Sequence, residues 1–176
     1  YLYSRPGQIA SEVNAILKKN EPSEKPTPST EPEVPSTEIP KNENYTKIVG
    51  NAIAIAEQMI NYIKKRNPDV AKSVIDMIPL YLSEGKTEGI AGDVAFAQSC
   101  LETGNFKFSG SAVTIDQNNF CGMGVTGNGV KGNTFETPQI GIRAQIQHLK
   151  AYASTENLVN ECVDPRFKYV PRGCAE

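Results

Sequence analysis

Apolar residues recur with the 3.6-residue period of a helix over much of the chain from residue 45 onward. Ile48, Ala52, Ile55, Met59 and Ile63 fall on one such stripe and predict a helix running to about Arg66. Asn67-Pro68 then reads as the N-cap and first residue of a second helix, with Val70, Val74, Ile75 and Ile78 as its buried stripe. Pro79 is expected to break or kink that helix ahead of Leu80-Tyr81-Leu82, and Gly85 and Gly89 to punctuate a loop. A third helix is expected from about Ile90 to Thr103, with Val94, Ala97 and Leu101 facing inward and Gly104 as its stop. Residues 105–136 are rich in Gly, Asn, Ser and Thr and lose the helical period, which predicts loops with at most one hairpin. Thr137-Pro138 opens a fourth helix to about Ala153, carrying Ile142, Ile146 and Leu149. The expected module, 45–176, is mainly α.

Ahead of residue 45 the pattern changes. Ile9, Val13, Ile16 and Leu17 recur at helical spacing within 1–18, a piece with too little apolar surface for a core of its own. It reads as the tail of a preceding domain. Residues 19–44 include EPSEKPTPSTEPEVPSTEIP, with six prolines and five glutamates in twenty residues. A stretch so poor in apolar side chains does not offset its ordering entropy, and its prolines favour an extended form. It is expected to be a disordered, semi-rigid spacer.

Composition narrows the function classes. The chain has 176 residues, 39% hydrophobic and 22% charged, with a net charge of -2. That balance provides no global basic field for nucleic acid or an anionic membrane. No apolar run approaches the roughly 20 residues that span a bilayer. Cys100, Cys121, Cys162 and Cys174 permit two disulfides in three connectivities, or four free thiols. No pair has the C-x-x-C spacing of a zinc or redox site, and no metal or cofactor is expected.

Candidate chemistry centres on Glu102 in CLETGNF, in the last turn of the third predicted helix. The partial negative charge of a helix C-terminus, and desolvation by Cys100, Leu101, Phe106 and Phe108, both favour the protonated carboxyl that a general acid for glycoside cleavage requires. Gln98 and Ser99 lie about one turn back on the same face, placed to orient the acid or a sugar. A second cluster, DQNNFCGMG at 116–124, suits the floor of a carbohydrate groove. Asn118 and Asn119 offer paired donors and acceptors, Phe120 a stacking or packing face, and Gly122 and Gly124 close backbone approach.

FAQSCLETGNFKFSG, DQNNFCGMG and FETPQIGIRAQIQHLKAYA, in this order and spacing, resemble the glucosaminidase domain of glycoside hydrolase family 73, a family of autolysins and phage lysins. The resemblance covers most of 45–176. It implies a lysozyme-like helical fold with a small loop or hairpin lobe and cleavage of the β-1,4 bond after N-acetylglucosamine in peptidoglycan. It puts Glu102 on the catalytic acid and Asn119, Phe120 and Gly122 on the groove-lining motif. It further implies a monomer acting on glycan strands outside the cell or at the wall, tethered through the spacer. Many members carry a second carboxylate on a hairpin, but VTGNGVKGNTF here has none. Asp116 and Glu136 are the nearest candidates, with Asp116 favoured. An inverting base stands about 6.5–9.5 Å from the acid, a nucleophile closer, and with neither the substrate's own acetamido group can attack. The family's tyrosine after an Asp-Pro pair corresponds best to Tyr169, beyond Asp164-Pro165. The chain is expected to end within the usual domain.

Rival readings differ in what they require. A zinc amidase needs several nitrogen or sulfur ligands, whereas His148 is the single histidine. A cysteine peptidase would pair Cys100 or Cys121 with His148, which lies mid-helix. A lytic transglycosylase shares the helical fold and a lone glutamate but leaves anhydro ends. A non-catalytic wall-binding module would not need Glu102.

Overall fold

The computed structural model describes residues 6–17, 46–127 and 129–175. The expected spacer, 19–44, lies outside them. Among the described residues five helices make up the regular structure: α1 (Pro6–Leu17), α2 (Ala56–Arg66), α3 (Lys72–Glu88), α4 (Gly92–Glu102) and α5 (Pro138–Ala153). Two 3-10 turns, Ile115–Gln117 and Phe167–Tyr169, interrupt the loops. The fold is mainly α, as the periodicity implied.

Helix α4 is the central strut. Gly92 to Cys100 are all buried, and α1, α2, α3 and α5 each pack against it. Val13 and Ile16 of α1 are buried in the same apolar cluster as Met59, Ile63, Ile78, Phe96 and Ile146. Residues 6–17 therefore share this core. Their apolar stripe is too small to fold alone and is buried against α2 and α4. Cys121, Met123, Phe135 and Ala144 form a second, smaller cluster that joins the loop lobe to α5.

Three boundaries depart from the periodicity for identifiable reasons. Residues 48–55 are not helical. Ile48 accepts from the Ala91 amide at 2.8 Å, Val49 bridges Ile90 in antiparallel fashion, and Gly50 donates to Gly89. The buried Asp93 carboxylate takes the amides of Ile53 and Ala54 at 2.8 and 2.9 Å, holding this segment extended across the start of α4. Asn67 caps the end of α2 instead of opening the next helix, and its side-chain amide donates to the Asn105 carbonyl at 3.0 Å. Pro79 sits inside α3 without ending it, and Gly85 is helical, so that α3 extends to a left-handed cap at Gly89 (φ 72°). The lost backbone bond at Pro79 is outweighed by a long apolar face against α4 and α5. Within 105–136 no strand pair forms among the described residues; one 3-10 turn and side-chain bonds organise the loops.

Gly92 lets α3 and α4 touch backbone to backbone. A Cβ there would run into the Tyr81 carbonyl oxygen and lie 3.0 Å from Leu82 Cα. Backbone cannot rotate out of the way as a side chain can. We expect Gly92→Ala to destabilise the fold by about 1–3 kcal/mol. Thermal unfolding followed by circular dichroism reads the loss, and an unchanged midpoint would contradict the close contact.

Candidate active site

Glu102 is the last residue of α4 and is half-buried. The helix closes just beyond it in a Schellman pattern. Gly104 (φ 61°) turns the chain left-handed, its amide points at the Leu101 carbonyl, and the Asn105 amide bonds the Cys100 carbonyl at 2.6 Å. The left-handed course continues through Asn105 (φ 61°), Phe106 (φ 58°) and, after Lys107, Phe108 (φ 54°). Each such non-glycine residue costs of order 1–3 kcal/mol and persists only where its surroundings hold it. Thr103 provides much of that hold: its hydroxyl donates to the Ser99 carbonyl and accepts the Phe106 amide, and its carbonyl accepts the Phe108 amide.

Burial of Phe106 supplies the rest and links the two motifs. Its ring lies 6.0 Å from Phe96 of α4, 6.4 Å from Phe108 and 6.0 Å from Phe120 of the Asn-Asn-Phe loop. The turn that follows Glu102 is thus packed directly on that loop. Electrostatics give the same adjacency. Burial pushes the Cys121 thiol up to about 12, and the nearby carboxylates of Glu102 and Asp164 add to the shift.

Inside the loop the predicted residues divide. Asn119 is fully buried: its side-chain nitrogen donates to the carbonyls of Met123 and Asn133, and its oxygen accepts the Met123 amide at 2.9 Å. Phe120 is equally buried in the main core. Both were expected to face a ligand. Instead both are buried within the protein, because an otherwise irregular loop needs its polar backbone groups satisfied and an apolar anchor. Asn118, left-handed at φ 50°, donates to the Phe135 carbonyl, and its own carbonyl abuts Gly141 of α5. Gly122 (φ 64°) is half-buried with open space around it.

Gln98 is buried one turn before Glu102 on α4. Asp116 is exposed on the 3-10 turn, where the bracing bonds run through Gln117 and Asn118 instead. Tyr169 is exposed at the end of the second 3-10 turn, with the Lys168 ammonium 5.0 Å from its ring centre. Residues ahead of Tyr169 are clamped to α5 in a way the periodicity did not reveal. Gln147 accepts from the amides of Val163 and Asp164 and donates to the Glu161 carbonyl, and His148 Nδ1 bonds Asp164 Oδ2 at 2.8 Å. Polar residues among the apolar positions of α5 were the available signal.

The thiols argue against cysteine chemistry. All four cysteines are free, with Cys100 and Cys121 buried. Desolvation pushes both buried thiols up, away from the thiolate a nucleophile requires, and His148 is engaged with Asp164. No helix among the described residues is long and apolar enough to cross a membrane.

Comparison with known proteins points the same way as the motifs. A family model described as Glucosaminidase (mannosyl-glycoprotein endo-beta-N-acetylglucosaminidase) matches residues 78–169, which holds α4, the loop lobe and α5. An uncharacterized protein of Borreliella burgdorferi (strain B31) is 41% identical over 141 residues, covering 80% of this chain and 69% of the relative. No solved structure matches the chain.

Proposed function

Because this chain belongs to the glucosaminidase family, whose domains are glycoside hydrolases, we propose that it cleaves the β-1,4 bond after N-acetylglucosamine in peptidoglycan with Glu102 as general acid. The observation that carries this reading is the packing of Phe106 on Phe120. It sets a half-buried carboxyl at a helix end beside an amide-rich, glycine-containing loop. In the proposed step Glu102 donates its proton to the leaving glycosidic oxygen as the C1–O bond breaks. Water adds at C1 and restores the proton, so that one bond is hydrolysed and a new reducing end appears. Asp116, exposed on the first 3-10 turn, is the proposed second group. The substrate's own acetamido group is the alternative. Tyr169 is proposed to line the same groove. The natural substrate would be glycan strands outside the cell or at the wall.

Digestion of purified peptidoglycan followed by mass spectrometry tests the bond assignment. New reducing-end N-acetylglucosamine is the expected product. Reducing-end N-acetylmuramic acid, anhydro ends or free peptide would each overturn it, the anhydro ends in favour of a lytic transglycosylase.

A further inference from the structure

Four buried side chains on three helices form a directed chain of hydrogen bonds behind Glu102. The Tyr81 hydroxyl of α3 donates to Ser99 Oγ at 2.9 Å, and the one hydrogen of Ser99 Oγ is shared between Gln145 Oε1 of α5 at 3.0 Å and the Ala95 carbonyl at 3.2 Å. Gln145 Nε2 donates to the Ala95 carbonyl at 2.9 Å and to Gln98 Oε1 at 2.8 Å. The direction is set by the backbone. A carbonyl oxygen only accepts, so the Gln145 atom facing Ala95 is its nitrogen, and the second hydrogen of that nitrogen requires an acceptor on Gln98. Gln98 therefore has its oxygen turned inward and its NH2 left over. That nitrogen has no bond to a described residue, yet it is not sealed in: the one sealed side-chain polar atom without a partner among the described residues is Asn105 Oδ1. Gln98 itself is only 5% exposed, so its small accessible part includes this donor. Four residues along a helix bring it onto the Glu102 face, about 6 Å back along the axis.

We propose that Gln145 is a positioning residue that locks the Gln98 amide with its NH2 toward the cleft, where it binds the acetamido carbonyl of the sugar beside Glu102. A hydroxyl both donates and accepts, so it would fit either face of the amide. An acetamido carbonyl accepts only, and so it alone benefits from the lock. Desolvation keeps the Tyr81 phenol neutral, well above its ordinary value, and preserves the donor that starts the chain. The inference rests on the reading above that a sugar occupies the cleft.

The test is co-sedimentation of the full chain, on ice, with peptidoglycan and with the same peptidoglycan chemically de-N-acetylated. The native chain should prefer the acetylated form by roughly tenfold, the worth of one such bond. Gln98→Met and Gln145→Met should each erase the preference, and the double variant should lose no more than either alone. Gln145→Glu keeps the shape but lacks both N–H donors. Its buried carboxyl is held protonated and offers one O–H, which the Ala95 carbonyl takes as readily as Gln98, so the lock is loosened and the preference should fall, which also covers the case in which Gln145→Met fails to fold. Absence of preference in the native chain, an unchanged preference in folded Gln145 variants, or additive losses in the double variant would overturn the proposal. A preference that depends on Gln145 without glycan cleavage would leave it standing while removing the hydrolase reading. Cleavage with a preference indifferent to Gln145 would do the reverse.

Discussion

Glu102→Gln is expected to slow peptidoglycan cleavage by about 10²–10⁴-fold while leaving the fold and wall binding intact. The substitution keeps the size and most of the hydrogen-bonding capacity of the side chain and removes only the transferable proton. Glu102 is half-buried at the end of α4, and the Schellman closure beyond it uses the backbone of Cys100, Leu101, Gly104 and Asn105, so the turn does not depend on a carboxylate. The loss should appear in kcat more than in KM, as expected of an interaction made chiefly in the transition state. Release of reducing ends measures the rate, and circular dichroism checks the fold. Full activity in the variant would remove Glu102 from the chemistry. An inactive native chain that still binds walls would favour a binding module.

Lys150→Met should cost about 3–5 kcal/mol of stability, the usual penalty for stranding a buried charge. Lys150 Nζ and Glu88 Oε2 stand 3.0 Å apart, and both residues are buried between α3 and α5. Glu88 also accepts the amides of Val159 and Asn160, so the pair anchors the segment that leads to Asp164 and Tyr169. Removal of the ammonium leaves the carboxylate with two amide donors and no countercharge. The double variant Glu88→Gln/Lys150→Met should recover much of the loss, since neither charge then remains. Urea denaturation measures both, and a loss below about 1 kcal/mol for the single variant would mark the pair as incidental.

The same pair predicts acid sensitivity. Burial alone would push the Glu88 carboxyl up, but the Val159 and Asn160 amides and the Lys150 ammonium together hold it below its ordinary 4.5. Burial acts likewise on Glu84, and the Arg143 guanidinium and Gln139 amide outweigh it. A depressed carboxyl contributes its stability fully above the ordinary value and loses it as pH falls through the lowered native one. Stability should therefore hold above about pH 4.5 and decline below it. The double variant should decline less steeply, with Glu84 still contributing.

Much of the helical lobe is legible because its signals are local. Thr137-Pro138 opens α5 as cap and first residue, with the Thr137 hydroxyl accepting the Ile140 amide. Gly104 turns the chain at the end of α4, and that stop is also what puts Glu102 at a helix terminus. Val94 and Ala97 are buried where the period places them. Legibility ends where a distant group competes for the same backbone. The Ile48–Ile55 stripe has helical spacing, yet Asp93, some forty residues on, takes its amides. Asn67 and Pro79 carry sound local signals for a cap and a break, and both are overridden by contacts with Asn105 and with the faces of α4 and α5.

For the site the division is similar. Residue type and order along the chain sufficed to place Glu102 at a helix end and to predict a mainly helical fold, because helix periods, glycine stops and short motifs act within a few residues. Only the tertiary structure decided that Asn119 and Phe120 face inward, that α1 shares the core, and that Gln145 dictates which end of the Gln98 amide is left exposed. Those outcomes depend on which polar groups meet when helices far apart in sequence close on one another. A buried donor must find an acceptor wherever the fold supplies one, and no local pattern specifies that partner.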